Sequence, residues 1–167
     1  VTVANFINGV NFSFDNKYII GSKEALELDE VPEKLVIIGG GYIGTEMGTV
    51  YAKLGSEVHI IEMRDALLPE IESEIAKLVQ DKLQNHFNVK TYLKSKALGM
   101  EEKDGKAVVK IDVGGEQKEI QADKVLVVVG RKPNTENIGL ENTKVTKNKN
   151  GCIEVDGSRK TADKNIY

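Results

Sequence analysis

The stretch of sequence that decides the fold is Leu35-Val36-Ile37-Ile38-Gly39-Gly40-Gly41-Tyr42-Ile43-Gly44. Its first four residues form a short apolar run, which is typical of a strand buried on both faces of a parallel sheet. The six residues that follow match the pattern G-x-G-x-x-G. Beyond them, apolar residues recur at three- and four-residue spacing as far as Leu54, which predicts an amphipathic helix that ends near Gly55.

Each glycine of this pattern has a physical role at a dinucleotide site. Gly39 allows the tight turn out of the strand, Gly41 lets the backbone approach a pyrophosphate, and Gly44 lets the helix pack closely on the strand. The unpaired N–H groups and the partial positive charge at the start of the helix favour a bound phosphate. The alternative is a tight turn that binds nothing, but the strand before the glycines and the helix after them favour the dinucleotide.

An acidic residue follows at the position that a ribose site requires. Residues 58–61 form a second apolar run, and Glu62 comes directly after it, 18 positions beyond Gly44 (62 − 44). A carboxylate there accepts hydrogen bonds from the adenosine ribose hydroxyls and repels the 2′-phosphate of NADP, so NAD is the expected cofactor. Arg64 is the counter-argument, because a cation nearby can bind a 2′-phosphate. We prefer to interpret Arg64 as a solvated side chain.

The rest of the chain predicts an α/β fold, with a Rossmann-type parallel sheet, helices and an antiparallel three-stranded β-meander. A second helix is expected to open at Pro69, with an apolar stripe of Ile71, Ile75, Leu78, Val79 and Leu83. Residues 89–93 and 125–129 are expected to be the third and fourth parallel strands. Alternating residues and the turn pairs Asp104-Gly105 and Gly114-Gly115 predict the meander, roughly over residues 97–120.

Composition and charge argue against several classes of partner. The formal net charge is −3, so no excess of Lys and Arg points to nucleic acid, and no apolar run is long enough to span a membrane. Cys152 is the only cysteine, which excludes an internal disulfide and fits a reducing compartment such as the cytoplasm. One cysteine with His59 and His86 makes no ligand cluster, so no metal site is expected.

Several longer motifs occur together in this sequence. They are Val31-Pro32-Glu33-Lys34, the glycine turn followed by Thr45-Glu46, Tyr51-Ala52-Lys53-Leu54-Gly55-Ser56, Ile61-Glu62-Met63, Leu67-Leu68-Pro69 and Gly130-Arg131-Lys132-Pro133-Asn134. In these motifs the chain resembles the pyridine nucleotide–disulfide oxidoreductases over nearly its whole length, and within them most the dihydrolipoamide dehydrogenases. The resemblance implies that the full-length parent has an FAD domain, an NAD(P) domain and a C-terminal dimerisation domain.

The resemblance also assigns NAD contacts to particular residues. The implied set is Gly39, Gly41, Tyr42, Ile43, Gly44, Glu46, Glu62, Ala97 and Gly130. Ala97 is expected against the adenine end, and Gly130, at the tip of a parallel strand, near the nicotinamide. Glu46 matches the acidic residue near the flavin–nicotinamide contact of the family, with an ordinary helix-surface carboxylate as the alternative.

The chain departs from the family where the family carries out its redox chemistry. The redox-active cysteine pair is absent, since Cys152 stands alone, and the C-terminal His–Glu acid/base pair is absent as well. His59 and His86 lack the sequence context of that base, and we interpret both as structural or surface residues. No catalytic residue is therefore expected in this chain, which would hold NAD while FAD belongs to the full-length parent.

The two ends of the chain match crossings into the family's FAD domain, as in an excised NAD-binding domain. We expect residues 1–31 to be a connector from a missing FAD domain, residues 32–141 the NAD-binding domain, and residues 142–167 the return segment. The expected partners are the missing FAD and interface domains and a second copy of the parent in a homodimer. A 2-oxoacid dehydrogenase complex is a further candidate partner.

The expected function is that of the NAD(H)-binding domain of a flavin-dependent disulfide oxidoreductase. In the full enzyme, dihydrolipoamide and NAD⁺ would be converted to lipoamide and NADH. One alternative is the NAD(P)-binding domain of a related flavoenzyme, such as a mercuric or glutathione reductase or an NADH oxidase. Family members that use NADPH are expected to have basic residues at the position of Glu62. The other alternative is a nucleotide-binding module without chemistry.

Overall fold

The computed structural model describes residues 2–3, 6–7 and 10–167, with side chains from Phe12 onward. Its helices are α1 (Ser22–Leu26), α2 (Tyr42–Lys53) and α3 (Ser73–His86), and a 3₁₀ turn covers Leu140–Asn142. The strands in chain order are β1 (Thr2–Val3), β2 (Phe6–Ile7), β3 (Val10–Asn11), β4 (Ile19–Ile20), β5 (Lys34–Ile38), β6 (Glu57–Ile61), β7 (Lys90–Tyr92), β8 (Ser95–Lys103), β9 (Lys106–Val113), β10 (Glu116–Ala122), β11 (Lys124–Val127) and β12 (Arg131–Lys132). The chain therefore has the α/β fold that the sequence predicts.

A five-stranded sheet forms the centre of this fold, in the order β4-β11-β5-β6-β7. Every neighbouring pair in it is parallel, and Val36 of β5 is in register with Val125 on one side and His59 on the other. Leu35, Val36 and Ile37 are 0% exposed, because both faces of the sheet are covered. The apolar run is therefore a strand buried on both faces, as predicted.

The two faces of the sheet pack against different layers, since alternate residues of a strand point to opposite sides. Val36 belongs to an apolar cluster with Val109 of β9. Ile37 belongs to a second cluster, with Tyr51 of α2 and Leu83 of α3. The sheet is thus the middle layer between the helices and the strands β8 to β10.

Strands β8, β9 and β10 form the predicted antiparallel meander, in the order β10-β9-β8. Its first turn has positive φ at Asp104 and Gly105, and its second at Gly114 and Gly115, which is the conformation of tight two-residue hairpin turns. The three strands cover the predicted range of residues 97–120 and extend slightly beyond it.

Helix α3 starts later than the sequence predicts. It begins at Ser73 rather than at Pro69. The backbone first makes a turn, in which the N–H of Leu68 donates to the carbonyl of Gly40 and the N–H of Ile71 donates to the carbonyl of Leu68. This turn uses the residues that would otherwise form the first turn of the helix.

The buried face of α3 also differs from the predicted apolar stripe. Ala76 and Leu83, seven residues and about two turns apart, are buried. Ile75 and Leu78 are 54% and 69% exposed, so the predicted stripe is wrong at these two positions. Both lie on the side of the helix turned away from the line through Ala76 and Leu83.

Part of the predicted connector belongs to the central sheet. Strand β4 pairs in parallel with β11, and α1 follows directly after it. The chain forms two compact units, one from β2 to Gly130 and the other of β1 with residues 131–167, where β1 pairs with β12. The boundaries at residues 31 and 141 stay a prediction about the parent protein. Residues 1, 4, 5, 8 and 9 lie outside the described residues, and so does the expectation for the start of the chain at Val1.

In the part of the chain that the structure describes, none of the helices combines the length and the apolar character needed to cross a membrane. Within the same residues, no group of three or more His, Cys, Asp or Glu side chains is arranged to hold a metal ion.

Candidate functional site

The glycine turn lies at the carboxyl end of the sheet, between the end of β5 and the start of α2. Gly39 has a φ of +113°, and its N–H donates to the carbonyl of Ile61 at 2.9 Å. A Cβ on Gly39 would lie 2.6 Å from the carbonyl oxygen of Val128. Only glycine fits here, because the backbone needs positive φ and the ends of β11, β5 and β6 meet at this residue.

Helix α2 packs directly on this turn. A Cβ on Gly44 would lie 1.9 Å from the carbonyl oxygen of Gly39, and that oxygen belongs to the backbone. One turn further along, a Cβ on Gly48 would lie 3.1 Å from the Cδ1 atom of Ile60, which is the flexible end of a side chain. The helix thus approaches β5 and β6 most closely at Gly44.

Gly41 faces open space, unlike its neighbours. It precedes the first residue of the 12-residue helix α2, and a Cβ built on it meets no atom within 4 Å. Among the described residues, the backbone N–H groups of residues 41–44 have no hydrogen-bond partner; the first bonded one is that of Thr45, to the Gly41 carbonyl. Free N–H groups and the positive end of the helix dipole make this opening suitable for a phosphate.

Glu62 reaches across to the glycine turn. Its Oε2 accepts a hydrogen bond from the N–H of Gly40 at 2.7 Å, and its Oε1 accepts one from the N–H of Arg64 at 2.8 Å. The backbone of Glu62 is fixed as well, since its N–H donates to the carbonyl of Tyr92 and its carbonyl accepts from the N–H of Ser95. Each carboxylate oxygen keeps a lone pair for a hydroxyl group.

A short loop closes over the turn, a feature that the sequence reasoning missed. The N–H of Leu68 donates to the Gly40 carbonyl at 2.8 Å, and a Cβ on Gly40 would lie 2.5 Å from the Cδ2 atom of Leu67. Leu67 is 0% exposed, and Leu68 has a φ of +50°, a costly conformation for a leucine. The motif Leu67-Leu68-Pro69 was the available signal, but it does not tell where the loop returns.

Arg64 forms an ion pair within this loop. Its Nη1 lies 3.0 Å from the Oε1 of Glu70, and the two side chains are 59% and 68% exposed. The guanidinium is thus solvated, as expected, but it has a carboxylate partner that the sequence did not reveal.

The other predicted contact residues of α2 and β11 lie around the same edge. Tyr42 is 55% exposed, Ile43 is half-buried, and Glu46 is exposed one turn further along α2. Gly130 is exposed beyond β11, and a Cβ on it would meet no atom within 4 Å. Their contacts with a cofactor stay predictions.

Ala97 differs from these exposed or half-buried residues, because it is a core residue. It is 1% exposed and belongs to the apolar cluster between the sheet and the meander. Its contact with adenine stays a prediction.

The opposite, amino end of the sheet carries a different polar group, which we call the amino-edge cluster: Lys34, Glu57, His59 and Lys90. The Glu57 carboxylate lies 2.5 Å from Lys90 Nζ, 2.9 Å from His59 Nε2 and 3.0 Å from Lys34 Nζ. Lys90, His59 and Lys34 hold the pKa of the Glu57 carboxyl at about 2. Burial lowers the pKa of His59, which also stacks on Tyr92 at 5.8 Å between ring centroids.

The second histidine and the only thiol of the sequence are both exposed. His86 is the exposed last residue of α3, and Cys152 is an exposed free cysteine in the second compact unit. Neither side chain forms a hydrogen bond or an ion pair among the described residues, and their interpretation as a surface residue and a bystander thiol stays a prediction.

The residues at the carboxyl edge fit the adenosine–pyrophosphate half of a dinucleotide. The opening at Gly41 leaves room for a phosphate close to the backbone, and the half-buried carboxylate of Glu62 can receive hydroxyl groups.

The chain matches a family model and several curated proteins over nearly its whole length. A family model described as "Pyridine nucleotide-disulphide oxidoreductase" matches residues 2–167. Dihydrolipoyl dehydrogenases from Bacillus subtilis and Staphylococcus aureus are 41% and 43% identical over 157 residues, which is 94% of this chain and 33% of each relative. One from Haloferax volcanii is 41% identical over 93% of this chain and 33% of its own length. The chain spans about a third of the length of these curated relatives.

Solved structures agree with this assignment. An HOCl-induced flavoprotein disulfide reductase from Escherichia coli superposes with a TM-score of 0.76 at 30% identity, over 89% of this chain and 33% of the reductase. A crystal structure of a Mycobacterium tuberculosis protein has a TM-score of 0.83 at 22% identity, over 99% of this chain and 35% of that one, and supports the fold alone. The resemblance seen in the motifs is thus confirmed, and the chain belongs to the pyridine nucleotide-disulphide oxidoreductase family.

Proposed function

We propose that this chain binds NAD(H) and serves as the nucleotide domain of a flavin-dependent disulfide oxidoreductase of the dihydrolipoamide dehydrogenase type. One observation carries the proposal. The start of α2 at Gly41 is open and its backbone N–H groups are free, while the Glu62 carboxylate is held against the same turn. Phosphate donors and a ribose acceptor are thereby brought together at one edge of the sheet.

The proposed binding roles follow from this arrangement. The N–H groups of residues 41–44 would hold the pyrophosphate at the positive end of α2. Glu62 would accept hydrogen bonds from the ribose hydroxyls with the lone pairs that Gly40 and Arg64 leave free. Tyr42, Ile43 and Glu46 on α2 would lie towards the nicotinamide side, together with Gly130.

When bound, a nicotinamide dinucleotide supplies hydride transfer at its nicotinamide ring. The residues of this chain supply binding energy and orientation, which are the contributions that proximity makes to catalysis. In the proposed overall reaction, the dithiol of dihydrolipoamide is oxidised to the disulfide of lipoamide, and NAD⁺ is reduced to NADH with release of a proton. The cysteine pair, the acid/base pair and FAD would come from other parts of the parent protein.

The parent's partners are part of the same proposal. The relatives are three times longer than the matched segment, which leaves room in them for FAD and interface domains. A homodimeric parent working in the cytoplasm, with a 2-oxoacid dehydrogenase complex as its assembly, is the arrangement we propose.

A second candidate is an NADPH-dependent reductase of the same family. Arg64 favours it, because this cation follows Glu62 by two positions. The carboxylate at Glu62 opposes it, since a 2′-phosphate would be placed next to a negative charge.

The test is calorimetric titration of the purified protein with NADH and NADPH side by side at low salt. We expect NADH to bind about tenfold more tightly or better, since a like-charge contact of this kind costs about 1 to 4 kcal/mol and tenfold in affinity is about 1.4 kcal/mol. NADPH binding as well as NADH would move the parent to the NADPH-dependent reductases. Failure of both to bind at millimolar concentration would contradict the proposal for this chain.

A further inference from the structure

The peptide groups of Gly40 fix both ends of the loop that follows β6. The Gly40 N–H donates to the Glu62 carboxylate at 2.7 Å, and the Gly40 carbonyl accepts from the Leu68 N–H at 2.8 Å. The side chain of Leu67 is buried under the same glycine. Residues 62–68 thus form a loop whose two ends are both hydrogen-bonded to Gly40. Residues 69 and 70 come directly after the fixed end at Leu68.

Arg64 is the cation that this loop carries beside the proposed ribose site. Its N–H donates to the Glu62 carboxylate at 2.8 Å, and its carbonyl accepts from the Lys94 N–H at 2.9 Å. The backbone of Arg64 is therefore fixed relative to Glu62. Its side chain is 59% exposed, so its direction depends on its charged partner rather than on packing.

That partner is Glu70, which lies across the closed loop from Arg64. The Nη1–Oε1 distance is 3.0 Å. A guanidinium engaged with a carboxylate offers fewer N–H groups to a phosphate, because both anions use the same donors. The charge of Glu70 also repels a phosphate placed near Arg64.

We propose that Glu70 is a positioning residue that disfavours NADP(H) by holding Arg64 in this ion pair. The inference rests on the proposed function, because it takes the ribose to lie at Glu62. Two carboxylates then share the choice of cofactor. Glu62 acts on the ribose hydroxyls directly, and Glu70 acts through Arg64.

The experiment measures the ratio of the Kd for NADPH to the Kd for NADH in the purified protein. Glu70→Gln keeps the size of the side chain and removes its charge. We expect this variant to lower the ratio about fivefold, which is the scale of an exposed ion pair. In the double variant Arg64→Ala/Glu70→Gln we expect the ratio to return to the wild-type value, because the released cation is gone. The decrease in the ratio caused by Glu70→Gln should also become smaller as the salt concentration is raised, because salt screens exposed charges.

Glu72→Gln is the matched control. It removes the same charge from an exposed carboxylate two positions further on, and Arg64 is paired with Glu70 rather than with Glu72 among the described residues. We expect its ratio to equal that of the wild type. The inference is overturned if Glu70→Gln stays within about twofold of the wild type. An equal decrease of the ratio in Glu72→Gln, or a decrease that persists in the double variant, overturns the inference too.

Two adenine nucleotides separate this inference from the function on which it rests. 5′-AMP and adenosine 2′,5′-bisphosphate probe the adenine half alone, and Glu70→Gln should favour the bisphosphate. If the wild-type protein binds neither NADH nor 5′-AMP, the proposed function and this inference are both contradicted. If the wild-type protein binds both ligands but Glu70→Gln does not change the Kd ratio, only the inference is contradicted. Thermal unfolding confirms that the variants are folded, as expected for surface substitutions worth about 0.5 kcal/mol or less.

Discussion

The two ends of the central sheet differ in how far their polar groups are paired. At the amino end, the Glu57 carboxylate is surrounded by Lys34, His59 and Lys90, and it forms an ion pair with each of the two lysines. At the carboxyl end, the N–H groups of residues 41–44 have no partner among the described residues, and Gly41 faces open space. Both ends are polar, but at the amino end the charged side chains pair with one another, whereas at the carboxyl end backbone donors are left without a partner among the described residues. Unpaired backbone donors, rather than charge, therefore distinguish the proposed binding edge from the opposite edge.

The largest effect is expected from Gly44→Ala, which breaks the carboxyl edge itself. The new Cβ would lie 1.9 Å from the backbone oxygen of Gly39, which cannot rotate away. We expect a loss of at least about 3 kcal/mol in the free energy of unfolding, together with loss of NADH binding. Urea denaturation measures the first and calorimetry the second.

Gly48→Ala is the control for this substitution on the same face of α2. Its Cβ would meet the movable Cδ1 atom of Ile60 at 3.1 Å, and alanine is the better helix former. The change in stability should be about 1 kcal/mol or less. Equal losses in the two variants would contradict the close approach of the helix at Gly44.

The next effect is expected from Gly41→Val, which should leave the fold intact and block the site. No atom lies within 4 Å of the new Cβ, so stability should change by less than about 1 kcal/mol. The side chain would instead occupy the space that a pyrophosphate needs, and the affinity for NADH should fall about tenfold or more. Unchanged affinity in calorimetry would show that ligand does not approach the backbone here.

A smaller effect is expected at the opposite end from Glu57→Gln. The variant removes the anion that Lys34 and Lys90 share, but its side chain is 39% exposed and the interaction is screened. The loss of stability should be less than about 1 kcal/mol, with NADH affinity unchanged. A drop in NADH affinity as large as that of Gly41→Val would contradict the division of roles between the two edges.

The amino-edge cluster also predicts how stability depends on pH. The folded pKa of Glu57 is about 2 against an ordinary value of 4.5, so its contribution is present above pH 4.5 and is lost as pH falls towards 2. Burial lowers the folded pKa of His59 as well, so the contribution of His59 to stability begins to be lost as pH falls below 6.5. Urea denaturation across these pH values should show a flatter profile for Glu57→Gln between pH 4.5 and 2. Parallel profiles for the two proteins would contradict this assignment.

The sequence predicts the parts of the carboxyl edge whose signals are local. The run of β5, the glycine turn and the periodicity of α2 lie within 20 consecutive positions, 35–54, and each element is specified by its own residues. Glu62 could be predicted because its distance from the turn is set by one helix and one strand.

The rest depends on where distant segments meet. The return of Leu68 to Gly40 delays the start of α3 and creates the Arg64–Glu70 pair, and no periodic pattern marks it. Strand β4 has only two residues and is stabilised by pairing with β11, so its own sequence reads as a connector. Ala97 was assigned by resemblance, and its burial follows from the packing of the meander on the sheet.

NMR mapping of the ¹⁵N-labelled protein during titration with NADH tests whether the dinucleotide binds at the carboxyl edge of the sheet. We expect the amide signals of residues 40–44 and 62 to shift most as the free N–H groups gain a phosphate, while those of Lys34, Glu57 and Lys90 stay in place. Saturable binding that leaves residues 40–44 unchanged, or that shifts the amino-edge cluster instead, would contradict it.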